Sequence, residues 1–228
     1  MKIRQLFDYD TWTYTYLIWD EATKEAAIID TVTEQVERDL QLVTELGLTI
    51  KYLLETHVHA DHITGAGALR KKTGAKIVIH KKSNSPCADI LTSENDVLTL
   101  GKQEIRILHT PGHTDHDSTY LIEGAAFTGD ALLIRDCGRT DFQLGSNEAL
   151  YHSITQKLFT LPNNTLVFPA HDYNGFNQST IAEEKAFNTR IGAKKSLTEL
   201  STIMDNLNLP NPKRINIAVP ANLKCGEI

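Results

Sequence analysis

Apolar residues along this chain follow two periods in turn. Residues 13–20 (TYTYLIWD) and 25–30 (EAAIID) are rich in β-branched and aromatic side chains and flank a polar turn, which predicts a β-hairpin. From 33 to 46 the period lengthens. Val36, Leu40, Val43 and Leu46 recur at helical spacing, and Gly47 stands just past the end, so the segment reads as an amphipathic helix. IKYLLET (50–56) predicts a buried strand, and residues 64–73 a second helix stopped by Gly74. Further strands are predicted at 75–80, 104–110, 118–124 and 125–130. Residues 147–159 predict a helix capped by Ser146 or Asn147, and 165–171 the last clear strand. From about Ser179 the pattern is mainly helical, ending in an irregular tail rich in Pro and Asn. Strands in hairpins followed by strands alternating with helices indicate an α/β sandwich, two mixed β-sheets flanked by helices.

Composition narrows this picture more than it changes it. The chain has 228 residues, 41% of them hydrophobic, enough for one large core, and reads as one domain with a C-terminal extension. A net charge of −6 without any Lys/Arg cluster argues against nucleic acid or an anionic membrane as partner. No apolar run approaches the roughly 20 residues of a membrane span. The first residues, MKIRQLFDYD, contain no signal-peptide apolar segment. Cys87, Cys137 and Cys225 are odd in number, widely spaced and without a CxxC pair. That predicts a reducing, cytoplasmic setting and no disulfide or thiolate zinc site.

The candidate chemistry lies at the strand ends. THVHADHITG packs His57, His59, Asp61 and His62 into six positions directly after a predicted strand. His113 follows in TPGHTDH, Asp130 in FTGDALL and His171 in PAHDY. Loops at strand ends fix side chains while leaving them open to a ligand. Imidazole and carboxylate are the donors of a catalytic zinc or non-haem iron centre. In an extended segment His57 and His59 face the same side and could reach one ion, with Asp61 and His62 near a second position. Asp130 could bind one ion or bridge two. His80, His109 and His152 stand outside this company, and His116 is ambiguous, three residues from His113. Ligand counting alone favours two zinc ions.

The pattern HxHxDH, PGHT, GD and a late His resembles the metallo-β-lactamase superfold, which implies an αββα sandwich with a metal site at one edge. ETHVHADHITGAGALR, TGDALLIRDCGRTDFQLG, LYHSITQKLFTLP, PAHDYNGF and IMDNLNLPNPKRINIAVPANLKCG narrow it further. Together they are similar to the persulfide dioxygenase (ethylmalonic encephalopathy protein) family, from about Tyr14 to Gly226. The resemblance implies a core over 1–175 and a helical extension over 176–228 packed on the same domain. It implies one Fe(II) per chain held by His57, His113 and Asp130, with His59, Asp61, His62 and His171 orienting those ligands by hydrogen bonds. The implied reaction oxidises glutathione persulfide with O₂ to sulfite and glutathione, as a step in sulfide catabolism. A homodimer is implied. Because the chain has no rhodanese-like extension, a rhodanese-type sulfurtransferase would be a separate protein.

Arg139 and Thr140 in CGRTDFQ are candidate substrate contacts, and Arg139 could instead pair with Asp141. The Tyr173 hydroxyl could reach the reacting sulfur, so Tyr173 and Arg139 are the candidate catalytic side chains. Cys137 reads as a buried small residue. The chain departs from the family pattern at His116 and Asp117, which follow PGHT, and at Asp136. The principal alternative is a dinuclear zinc hydroxyacylglutathione hydrolase of the glyoxalase II type, cleaving glutathione thioesters. Against it, only about 50 residues follow PAHDYNGF, short for the helical substrate domain of those hydrolases.

Overall fold

The computed structural model describes residues 1–227. Strands β1 (Lys2–Asp8), β2 (Thr13–Trp19), β3 (Glu25–Ile29), β4 (Thr49–Leu54), β5 (Lys76–His80) and β6 (Ile90–Thr92) lie side by side in chain order. The first three pair antiparallel and the remainder parallel. The second sheet contains β7 (Val97–Leu100), β8 (Gln103–His109), β9 (Ser118–Ile122), β10 (Ala125–Gly129), β11 (Leu166–Pro169) and β12 (Ser179–Thr180), again in chain order. Only its β10–β11 pair is parallel.

Every residue of β2 is buried, so both faces of its sheet are covered. One face meets the other sheet through Tyr16, Ile18, Leu54, Tyr120, Phe127 and Phe168. The opposite face carries Leu17, Ile28 and Leu53 under helices α1 (Val36–Glu45) and α2 (Ala66–Thr73). On the second sheet, Leu108 and Val167 pack under α3 (Asn147–His152), α4 (Ile181–Phe187) and α5 (Leu197–Asp205). The layering is the expected αββα sandwich. No helix among the described residues is long and apolar enough to cross a membrane.

Several details differ from the sequence expectation. Strand β1 was not predicted because its polar residues suit a solvent-facing edge, where period-two alternation is weak. Strands β6 and β7 are too short to give a pattern. The predicted helix over 147–159 is capped by Ser146, whose Oγ accepts from the Ala149 amide, but changes to wider and then tighter turns after His152. The tail is not wholly irregular: α6 (Ile215–Asn222) lies in it.

The cysteine expectation is overturned. Cys87 and Cys225 form a disulfide across 138 residues, with Cα atoms 6.0 Å apart. The fold brings the C-terminal segment back beside the loop after β5, a proximity that cysteine spacing does not encode. An odd cysteine count therefore gives no argument for a reducing compartment. Cys137 is free and buried, and burial pushes its thiol up to about 12, in keeping with a packing residue.

Candidate metal centre

Four loops at one edge of the sandwich converge on the predicted ligands. In the loop after β4, the Thr56 amide and hydroxyl both donate to Asp30 at 2.8 and 2.9 Å. Asp30 directly follows β3 in a left-handed conformation and is itself buried. The His113 loop passes so close to α3 that a Cβ on Gly112 would sit 2.3 Å from Leu150 Cα. Only glycine permits that approach, and the φ of 153° adds to the requirement. Asp130 leaves β10, and His171 leaves β11, where the Tyr14 amide donates to the Ala170 carbonyl at 2.7 Å.

Donor atoms of His57, His113 and Asp130 lie within 4.8 Å of one another. Their hydrogen bonds fix which ring nitrogen faces inward. His113 Nδ1 lies 2.6 Å from the Arg139 carbonyl, which can only accept, so Nδ1 carries the proton and Nε2 keeps its lone pair. Thr56 spends its hydroxyl proton on Asp30, so His57 Nδ1, 3.0 Å away, donates to Thr56 Oγ1. His57 Nε2 is then also a free donor atom. Burial, followed by the neighbouring His59, holds the His57 ring well below the usual histidine range, keeping it neutral. These residues fit a metal: two neutral imidazoles and one carboxylate, each ring oriented by an outer hydrogen bond.

His59, Asp61, His62 and His171 form a second, abutting cluster, also within 4.8 Å. His171 bridges two acids, Nδ1 at 2.8 Å from Asp130 and Nε2 at 3.1 Å from Asp61. Burial alone would lower His171, but Asp130 and Asp61 outweigh it and hold the ring well above its usual range. The effect is mutual: burial would raise both carboxyls, yet the adjacent histidines hold Asp130 and Asp61 well below theirs. Both ring nitrogens of His59, and Nε2 of His62, are buried without a well-aligned hydrogen bond among the described residues, His59 Nε2 lying 3.1 Å from Asp30 Oδ1.

The centre opens into a cavity of about 680 Å³, within the range of small-molecule sites. Trp12, Arg139, Tyr173, Leu209 and Lys213 are among its lining residues. Tyr173 stacks parallel to His171 at 6.2 Å and lies 6.2 Å from Trp12. Arg139 is in the wall, but its guanidinium is engaged: Asp141 takes two bonds at 2.6 Å, and the Pro210 and Leu209 carbonyls accept two more. Of the two readings of Arg139, the structure shows the pairing with Asp141, which ties the 209–210 loop over the cavity. Thr140 does not reach the cavity, because its hydroxyl turns away to donate to Asn147.

Several contributors were invisible in the sequence. Asp30 sits 26 residues before Thr56. Its only sequence signal was an acid closing an apolar strand. His116 and Asp117 are buried rather than exposed. Asp117 accepts from the Thr114 amide and hydroxyl, and His116 Nε2 accepts from the Val58 amide at 3.0 Å, bolting the His113 loop to the His57 loop. Asp136 also lines the cavity and pairs with Arg190.

The metallo-beta-lactamase superfamily profile matches residues 12–171, the segment that carries all seven candidate ligands. The mouse (Mus musculus) protein named persulfide dioxygenase ETHE1, mitochondrial, is 48% identical over 98% of this chain and 88% of its own length. The human protein of that name is 47% identical with the same coverage. The chain belongs to the persulfide dioxygenase family of the metallo-beta-lactamase superfamily. The crystal structure of ETHE1 from Myxococcus xanthus superposes on this persulfide dioxygenase homologue with a TM-score of 0.97 at 54% identity, covering 99% of this chain and 100% of that one. The likeness thus extends past the superfamily core through α4, α5 and α6.

Proposed function

We infer that the chain is a sulfur dioxygenase that oxidises a persulfide with O₂. The supporting observation is an intact His57–His113–Asp130 set in a chain similar to persulfide dioxygenases along nearly its whole length. We assign that set one Fe(II), with His59, Asp61, His62 and His171 holding the ligands in place. An iron ion bound there supplies the electron transfer between sulfur and oxygen. His57, His113 and Asp130 would hold it, and all three line the cavity that would admit the substrate.

Glutathione persulfide is the substrate the cavity suits. Lys213 at the rim makes no ion pair among the described residues, and Arg214 lies beside it, so a glutathione carboxylate has a cationic partner. Asp10 lines the cavity too and suits the ammonium group. Trp12 and Tyr173 form an aromatic wall along the path to the centre. Tyr173 is 61% exposed, and its hydroxyl makes no hydrogen bond with the described residues, leaving it free to donate to the reacting sulfur. In the balanced reaction both oxygen atoms of O₂ pass to the terminal sulfur, and water cleaves the sulfur–sulfur bond to give sulfite and glutathione. A homodimer, and a separate sulfurtransferase that supplies the persulfide, belong to the same reading.

A second reading draws on the unpartnered nitrogens of His59 and His62: a dinuclear hydrolase of glutathione thioesters with all seven ligands engaged. Metal analysis and oxygen uptake on one anaerobically purified sample separate the two. About one iron per chain, with sulfite matching the O₂ consumed, is expected. Two zinc ions, no oxygen uptake and thioester cleavage would overturn the dioxygenase assignment.

A further inference from the structure

The C-terminal helix α6 reaches the metal-ligand loop through one side chain. Asn222 is buried and uses its whole amide on that loop. Its Nδ2 donates to the His59 and His62 carbonyls at 2.8 and 2.9 Å, and its Oδ1 accepts from the Thr64 amide at 2.9 Å. Three backbone groups that would otherwise be buried and unpaired are satisfied by one residue more than 150 positions away. Ala218 and Ala221 of α6 pack on Ile63 within the same loop.

Three residues beyond Asn222 stands Cys225, bonded to Cys87. The segment around Cys225 has no slack against α2: the Gly67 amide donates to the Cys225 carbonyl at 2.9 Å, and a Cβ on Gly67 would approach that oxygen to 2.5 Å. On its other side Ser85 Oγ donates to the Leu223 carbonyl at 3.2 Å. His57, Asn222 and Cys225 line one small void of about 10 Å³, so the disulfide's Cys225 and the first candidate metal ligand border the same space.

We propose that Asn222 is a positioning residue for the metal centre and that the Cys87–Cys225 disulfide fastens it there, so that metal retention responds to thiols. This inference rests on the loop holding a metal ion and not on which metal or substrate it is. Opening follows ordinary exchange with a low-molecular-weight thiol such as glutathione. A thiolate attacks the Cys87 sulfur, the less buried of the pair, giving a mixed disulfide and releasing Cys225 as thiolate. A second thiolate attacks the external sulfur of that mixed disulfide and releases Cys87. The bridge gains two electrons and two protons, and two external thiols become one disulfide. The freed C-terminal segment loses its covalent anchor, and Asn222 then holds the loop only as long as α6 stays docked.

The test loads the full chain with Fe(II) or, separately, Co(II) and follows metal release to an excess of chelator. The Asn222→Asp variant keeps the acceptor for Thr64 and loses both donors. It should release metal about tenfold faster or more, in the range seen when an outer-shell partner is lost. The Cys87→Ser variant, and wild type after reduced glutathione, should match each other and exceed oxidised wild type by roughly fivefold or more. Thiol counting on the denatured protein should find Cys137 alone before reduction and all three cysteines after. A merely structural Asn222 would lower the melting temperature of metal-free and loaded protein equally and leave release at the wild-type rate, which overturns the positioning role. Three free thiols in protein isolated without reductant, or release indifferent to glutathione, overturns the fastening role. Because Co(II) release needs no turnover, both results stand apart from whether the chain oxidises persulfides.

Discussion

Replacing Thr56 by Val tests the hydrogen-bond chain that sets the His57 ring. The hydroxyl donates to Asp30 Oδ2 at 2.9 Å and accepts from His57 Nδ1 at 3.0 Å, with all three residues buried. Valine has nearly the same shape, so packing is kept and only the relay is removed. The Thr56 amide bond to Asp30 also survives, so the loop keeps its anchor. What is lost is a donor for Asp30 Oδ2 and the acceptor for the His57 N–H. An orphaned buried polar group costs ~1–3 kcal/mol, so the metal-free chain should lose about 2–4 kcal/mol. At ~2–4 °C per kcal/mol for a chain of this size, a melting shift of roughly 5–15 °C is expected. Metal affinity should fall ~10–100-fold beyond that, because nothing then holds His57 Nε2 toward the ion. Chelator competition on the loaded protein measures the affinity, and thermal melting of the metal-free chain measures the fold. Thr56→Ser, which keeps the hydroxyl, should recover most of both. Wild-type affinity in Thr56→Val, or a Thr56→Ser variant as weak as the valine, would refute the relay.

Three further outcomes follow from groups away from that relay. Asp39 is buried beside Arg38 with one oxygen unpartnered, and burial pushes its carboxyl up to about 6. With an unfolded value near 3.9, the folded chain binds the extra proton between the two, so stability falls as pH rises from about 4 to 6. Asp39→Asn should flatten that slope by on the order of 2 kcal/mol in urea unfolding across the window; an unchanged slope contradicts the assignment. Lys213→Ala should raise KM for glutathione persulfide roughly three- to tenfold with kcat unchanged, the sign of a carboxylate contact made equally in ground and transition states; a kcat loss at constant KM would place Lys213 elsewhere. Cys137→Ala should cost about 1 kcal/mol of stability and leave turnover per bound metal unchanged, whereas abolished turnover would make the thiol part of the chemistry.

How much of this was legible in the sequence depended on whether the signal was local. His57, His59, Asp61 and His62 were readable because four donors in six positions are dense, and the strands before His57 and Asp130 were readable because burial on both faces makes apolar runs. The partners that orient those ligands were not. Asp30, Asn222 and the Arg139 carbonyl act across separations of 26 residues or more, and a carbonyl leaves no mark in the residue pattern. The same limit explains the missed disulfide. Cys87 and Cys225 carry no local signature, and only the return of α6 beside the loop after β5 brings them together. Thr140 failed for the opposite reason: its motif placed it near the site, but a local bond to Asn147 claims its hydroxyl.

The choice between one ion and two turns on His171. Counting donors gives two clusters that open on the cavity, and a third behind them at Asp30, Glu55 and His59, all packed to the same tolerance. Protons distinguish the two on the cavity. His57 and His113 each donate through Nδ1 and keep a lone pair on Nε2, so each offers a donor atom to an ion as it stands. His171 has an acidic partner on each nitrogen, and both carboxylates favour its protonated form, which offers no lone pair. A second ion would have to displace that proton and break the Asp61 bond, while Asp61, His59 Nδ1 and His62 Nε2, neither nitrogen hydrogen-bonded among the described residues, would draw the ion in. An imidazolium at His171 also keeps Asp130 ionised and oriented for the first ion through Oδ1, leaving Oδ2 3.6 Å from His113 Nε2. One ion is therefore favoured wherever the proton on His171 outcompetes the metal. His171→Gln, which carries no positive charge and has a single donor nitrogen in place of two on opposite sides of a ring, should loosen Asp130 and weaken the first ion. If it instead left one-ion affinity intact and abolished only the binding of a second zinc, His171 would be a ligand and the dinuclear reading would gain the decisive support.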